Sequence, residues 1–381
     1  MKKIRGEIIQ FGDLTWPEVA ALPRDLPLVL PLGQGYDLSR LSEMLEDPPR
    51  LGMLPAIPYG WQGSGLDVPI AVFAPFARNL IESLQEDGFS RLKLLAPPGF
   101  DLGLGEVVLT QRPRSAANAP ALHQPTKVML IPIGHTEQHG HHLPLNTDTL
   151  IIEAIAHGTA SIMPEHAAAL PVMPYGVSTH RRAFAGTLNA GGRAFEDFYL
   201  AVIDALVATG CDRIYLMSGH GGNCSFLTSI VKYAGEQHRR AFIATAWLYL
   251  SGPDGIAALD ELRRSKTGGM GHACELETSL LLHLRPELVH MDRVIDETDF
   301  VTSPSYYMDW IEGGALIANP PWDDDTQTGA YGAGSLATAE HGRMWLQAAI
   351  AEKAAHVHEI DEQHRRREAR RSGGYGLWAR K

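Results

Sequence analysis

The chain has 381 residues, 45% of them hydrophobic and 20% charged, which supports a substantial core and excludes wholesale disorder. That length suggests two domains or one large one. Lys and Arg number 33 against 44 Asp and Glu, and the resulting charge of -11 argues against broad binding to nucleic acid or anionic membrane. The basic start, Met1 to Glu7, is followed by Asp13 and Glu18, which interrupt the stretch where a signal peptide would need its apolar region. No run of about 18 uncharged apolar residues occurs, so no membrane span is expected. Cys211, Cys224 and Cys274 form no disulfide framework. A reduced, cytoplasmic setting is the expectation.

In chain order, the first half reads as strand, helix and strand, with Val29 to Gly33 opening the pattern and Arg91 to Leu95 closing it. Residues 116–127 are Pro- and Ala-rich and read as a linker. Val128 to Ile133 is a short apolar run bounded by Gly134, which predicts a buried strand. A helix is expected near 148–163 and another over Phe195 to Thr209, stopped by Gly210. Arg213 to Ser218 is the next strand, 225–238 a helix, and Arg240 to Leu250 contains a further strand. Glu275 to Leu284 and 336–362 complete the helices. Strands alternating with helices predict an α/β class, an α/β/α sandwich with a mostly parallel sheet.

The first 115 residues echo the later pattern. Val29-Leu-Pro-Leu-Gly33 resembles Leu130-Ile-Pro-Ile-Gly134, Pro58-Tyr-Gly60 resembles Pro174-Tyr-Gly176, and the segment from Asn79 resembles that from Ala201. Matches in one order suggest a duplication. The expected organisation is a degenerate partial copy over 1–115, the linker, a catalytic domain over 128–362 and a basic tail over 363–381.

Three segments carry chemistry. Gly134 to Asp148 holds four His, with Glu137 and His139 on one side of an extended loop and Asp148 at the next helix start. Carboxylates with imidazoles form a ligand set for Zn, Mn or Fe. A solvated polar loop is the bland alternative, but such loops rarely follow a buried strand with this ligand density. Ser218-Gly-His220-Gly-Gly-Asn223 ends a parallel strand, where open α/β sheets place their sites. Gly268 to Glu277 leads a Gly-rich turn into a helix. Helical spacing sets His272 and Glu275 on one face, whereas Glu277 lies away and reads equally well as a charge favoured by the helix dipole.

These segments resemble the creatininase (creatinine amidohydrolase) family over roughly 128–360, through Glu137 to Asp148, Ser218 to Asn223 and Gly271 to Ser279. Ser178-Thr-His180, Ala185 to Leu188 and Ser335 to Gly342 also look like family segments. The resemblance implies two divalent metal ions (Zn, Mn or Fe). Residues matching Glu137, Asp148 and His220 would hold the first. His139, a bridging Asp148 and a further carboxylate would hold the second. In creatininase that carboxylate lies two residues after the His, which is Gly222 here, so Glu275 is expected instead. A water activated by both ions would attack the carbonyl, His272 would transfer the proton, and His180 is a second catalytic candidate.

The expected activity is hydrolysis of a C–N bond in a small amide or cyclic amide through a dinuclear metal-bound hydroxide. Gly268 stands where creatininases carry a substrate-contacting tryptophan, which argues against creatinine itself. Arg181-Arg182 would meet an anionic substrate group or form a solvated pair. A peptidase acting on a modified peptide end is the rival enzyme. A silent metal-binding or assembly protein is the rival class. The resemblance further implies a homo-oligomer, made smaller if the degenerate copy covers a surface that a neighbouring subunit would occupy.

Overall fold

The computed structural model describes residues 6–100, 102–103, 107–113, 124–179, 183–310 and 315–373. The first half contains β1 (Glu7–Gln10), α1 (Trp16–Ala20), β2 (Leu28–Pro31), α2 (Leu38–Met44), β3 (Arg50–Met53), α3 (Ile70–Glu86), β4 (Leu92–Ala96) and β5 (Val108–Thr110). Its five strands form one parallel sheet in the order β1-β3-β2-β4-β5. The second half opens with β6 (Val128–Ile133), α4 (Thr147–Ile162), β7 (Ala167–Ala169), α5 (Gly192–Ala208), β8 (Arg213–Ser218), α6 (Cys224–Gln237) and β9 (Phe242–Thr245). Those strands are parallel in the order β7-β6-β8-β9. Then follow α7 (Pro253–Leu262), β10 (Met270–His272), α8 (Glu275–Leu284), β11 (Tyr331–Gly332) and α9 (Ala339–Ser372), with β10 and β11 antiparallel.

Every residue of β6 is buried, as expected of a strand covered on both faces by helices. The order β3-β2-β4-β5 repeats as β7-β6-β8-β9. Each central strand is extended by one parallel bridge, Leu32 to Ile57 and Ile133 to Met173. This shared order is what a duplication would produce. The expected linker falls largely at 114–123, outside the described residues.

The halves meet through α3 and α5. Phe195, Phe198, Tyr199, Val202, Ile203 and Leu206 form one apolar stripe of α5 and are fully buried. Burial of each large apolar side chain contributes roughly 1.5–3 kcal/mol. Phe198 stacks on Phe76 of α3 at 4.5 Å between ring centroids. Gly60 permits that approach, because a Cβ there would lie 2.4 Å from the Phe198 ring. A single core cluster consequently runs through both halves.

One expectation fails at the end of the chain. The stretch beyond 362, expected as a basic tail, continues α9 to Ser372. It is docked by Arg240 to Glu368, by Arg371 Nη2 donating to the Arg239 carbonyl, and by Arg367 over the Phe242 ring. Among the described residues no helix is long and apolar enough to cross a membrane.

Candidate metal centre

The site lies at the carboxyl ends of β6 and β8, where neighbouring parallel strands open into loops. Packing sets its shape before any ligand is considered. A Cβ on Gly134 would lie 2.5 Å from Thr149 Cα, and one on Gly219 would lie 2.4 Å from the Asp148 carbonyl oxygen. Glycine at both strand ends therefore lets the first turn of α4, with Asp148, sit directly against the sheet. The loop between β6 and α4 is closed by Glu137 N–H donating to the Leu145 carbonyl. Asn223 ties the second loop in, accepting Val177 N–H at Oδ1 and donating to the Gly134 carbonyl.

Glu137, His139, Asp148, His220, His272 and Glu277 converge, each no more than 4% exposed. His139 Nε2 is 3.1 Å from Asp148 Oδ1 and 3.9 Å from Glu277 Oε1. His220 Nδ1 is 3.0 Å from Glu137 Oε1 and 3.2 Å from Asp148 Oδ2. Thus the two oxygens of Asp148 face different imidazoles. Potential ligand atoms of His139, Asp148 and Glu277 lie within 4.8 Å of one another, as do those of Glu137, His139 and His272.

Backbone carbonyls settle the tautomers, since a carbonyl only accepts. His139 Nδ1 faces the Glu137 carbonyl at 3.1 Å, His220 Nε2 the Val177 carbonyl at 3.0 Å, and His272 Nε2 the Gln138 carbonyl at 2.7 Å. Those nitrogens carry hydrogen, so the opposite nitrogens, which face the carboxylates, are the ones whose lone pairs a cation would take once their proton is displaced. Outer hydrogen bonds of this kind orient metal-ligating histidines. His135 is arranged the other way. Its Nδ1 accepts Gly176 N–H, so its Nε2 carries the hydrogen and faces Glu137 Oε2 at 3.9 Å. His135 therefore turns an N–H rather than a lone pair toward Glu137, although its ring lies within reach of the Glu137 and His220 ligand atoms.

Burial by itself would lower the His220 imidazolium, but Glu137 and Asp148 outweigh it and push its pKa up to about 9. His139 is likewise raised against burial by Asp148. Burial opposes ionisation of Asp148, yet His139 and His220 hold its carboxyl below the usual range. Three buried carboxylates, with imidazole nitrogens aimed between them, are a fitting donor set for divalent cations.

The expected ligand Glu275 is not in this cluster. Its carboxylate accepts the backbone N–H of Arg264 and Ser265 at 2.8–3.2 Å and holds the turn after α7. Glu277 reaches the cluster instead. Helical spacing does not relate His272 to Glu275, because His272 belongs to β10 and the chain kinks through Ala273 at φ 48 before α8 begins at Glu275. Gly222 has no side chain to offer, and a Cβ there would lie 2.4 Å from both His220 Nε2 and the Val177 carbonyl. The other loop histidines stand apart. His142 pairs with Thr278, and burial lowers its pKa to about 4. His141 packs on Trp16. His180, Arg181 and Arg182 lie outside the described residues.

A cavity of about 470 Å³ opens above Asp148, His220, His272 and Glu277. Phe226, Trp247, Phe300, Trp310 and Trp322 form much of its wall. The Trp322 ring meets His272 edge-on at 5.7 Å, and its Nε1 donates to the Gly329 carbonyl. These aromatic positions have no sequence pattern of their own, and only the fold gathers them.

Residues 114–357 match the Creatininase family, described as creatinine amidohydrolase. The chain belongs to the creatininase family. A mycofactocin precursor peptide peptidase of Mycobacterium ulcerans (strain Agy99) is 36% identical to it over 174 residues, 44% of this chain and 62% of that protein. The chain thus spans less than two thirds of that relative. A creatinine amidohydrolase of Pseudomonas putida is 30% identical over 193 residues, 47% of this chain and 72% of that protein. A crystal structure of creatinine amidohydrolase (creatininase) aligns at TM-score 0.53 and 25% identity, over 62% of this chain and 92% of that one. The mostly parallel α/β fold and the buried carboxylate–imidazole cluster are thus those of a creatininase-family chain.

Proposed function

We propose that this creatininase-family protein hydrolyses an amide C–N bond at two divalent ions. Glu137, Asp148 and His220 would hold one ion, and His139, Asp148 and Glu277 the other. The observation that carries the pairing is Asp148, whose Oδ1 faces His139 while Oδ2 faces His220. Ions bound there would acidify water and polarise the substrate carbonyl. Hydrolysis places the hydroxyl of water on the carbonyl carbon and its proton on the departing nitrogen. His272 is positioned for that proton, with Nε2–H tied to Gln138 and Nδ1 facing Glu137 Oε1 at 3.8 Å. The aromatic wall would give the substrate an apolar face to pack against.

The second reading is a peptide bond near a chain end. The cavity favours it, since about 470 Å³ is generous for a small ring and the mouth is apolar, with Trp247 57% and Ile317 91% exposed. The test is a screen of the metal-reconstituted protein against creatinine, hydantoins, formamides and short peptides, alongside Glu137→Ala. We expect turnover of an amide, stoichiometric amine release, and loss of activity in the variant and on chelation. A wild-type protein that binds no divalent ion would sink the proposal. Cleavage confined to peptides would select the second reading.

A further inference from the structure

Residues 6–113 lie outside the family match, yet they touch the loops that carry the ligands. Leu145 N–H donates to the Leu14 carbonyl at 2.9 Å, and Asn146 N–H to the Gly12 carbonyl at 2.9 Å. Asn146 Nδ2 donates to Asp13 Oδ1 at 3.0 Å. These residues stand between His139 and Asp148. Leu145 also passes the restraint on, because its carbonyl accepts Glu137 N–H. Trp16 fastens a second loop. Its Nε1 donates to the Thr328 carbonyl at 2.7 Å, next to Gly329, whose carbonyl accepts from Gln138. Its ring packs on His141 and Phe184.

The segment before α5 is held from the same side. Gly186 N–H donates to Asp87 and Asn189 N–H to Ser83. Between them, Thr187 Oγ1 accepts Gln138 N–H and Leu188 N–H donates to the Thr136 carbonyl. The backbone around Glu137 is therefore clamped between two strips of chain, both anchored on the N-terminal half.

We infer that the N-terminal half positions the metal ligands of the C-terminal half, through the Gly12–Trp16 segment. Its residues touch neither ligand nor substrate and act by preorganising the loop from Glu137 to Asp148. The inference rests on the metal-binding reading above. Groups hydrogen-bonded directly to ligating side chains change metal affinity by about 10–100-fold, and a support one step further out is expected at the lower end of that range.

The experiment is Zn²⁺ titration of the full-length, metal-free protein by chelator competition. Gly12→Val drives bulk toward Asn146 and Pro55, where even a Cβ would lie 3.3 Å from Asn146 Cβ and 3.1 Å from Pro55 Cγ. Trp16→Phe keeps an aromatic ring, a smaller one, and removes the N–H donor. Both should weaken Zn²⁺ binding about tenfold or more. Arg50→Ala removes an exposed ion pair with Glu7 in the same half and should leave affinity unchanged. Folded Trp16→Phe with wild-type affinity overturns the inference, whether or not Gly12→Val folds. Equal loss in Arg50→Ala also overturns it, because the effect is then general destabilisation. If the wild type binds Zn²⁺ and the variants match it, only this inference fails. If the wild type binds none, the metal reading fails as well.

Discussion

Two glycines three positions or fewer from the same histidine should behave oppositely when changed to alanine. Gly219 precedes His220, and a Cβ added there would meet the Asp148 carbonyl oxygen at 2.4 Å and Ile152 Cβ at 2.9 Å. The first neighbour is backbone and cannot rotate away. An ordinary contact begins near 3.4 Å, so Gly219→Ala must move the first turn of α4 by about 1 Å or distort the end of β8. Overpacking of this kind costs about 1–3 kcal/mol in stability. The same displacement carries Asp148 away from His139 and His220, and a 1 Å misplacement can lower turnover about 10²-fold. At Gly221 a Cβ meets nothing within 4 Å, so Gly221→Ala should stay within about 0.5 kcal/mol of wild type. Urea unfolding, metal content and kcat on a responsive amide are the assays. Equal behaviour of the two variants in all three measurements would refute the argument that space at Gly219 sets the position of Asp148.

Glu277→Gln should lose one of two bound ions and most activity. Glu275→Gln should keep both ions and lose about 1–3 kcal/mol of stability, because the Arg264 and Ser265 amides lose a charged acceptor. Elemental analysis with urea melts separates these outcomes, and ion loss in the Glu275 variant would reverse the assignment. Metal binding should also release protons. In the metal-free protein Glu137 and Asp148 overcome burial and raise His220 to about 9, so below that pH the imidazole holds a proton that a cation must displace. Affinity should therefore fall with decreasing pH below about 9, by about tenfold per unit for each displaced proton. Calorimetry at pH 7 in buffers of different ionisation enthalpy measures the release, and zero release would contradict the assignment of His220.

Much of this architecture was written in local pattern. The apolar run Val128 to Ile133, the stripe from Phe195 and the Glu275 to Leu284 helix are decided by hydrophobic period and nearby stop signals, and they fold as read. Glu137, His139, Asp148 and His220 were legible because their loops directly follow such strands. The choice between Glu275 and Glu277 was not legible. It depended on whether His272 continued a helix or ended a strand, and the pairing of β10 with the distant β11 made that decision. The late helix was underestimated for a related reason. Its polar end has little apolar period, and it is held by Arg239, Arg240 and Phe242 far back in the chain.

The histidine-rich strand ends determined which imidazoles and carboxylates could gather there, and the repeated strand–helix pattern determined the class of fold. Tertiary packing alone decided which carboxylate enters the cluster, which nitrogen of each histidine faces it, and which aromatic rings wall the cavity. Local order follows from side-chain period and turn chemistry, which neighbouring residues carry. The direction of a buried side chain follows from its hydrogen-bond partners, and here those come from loops up to 134 positions away, as Gln138 does for His272.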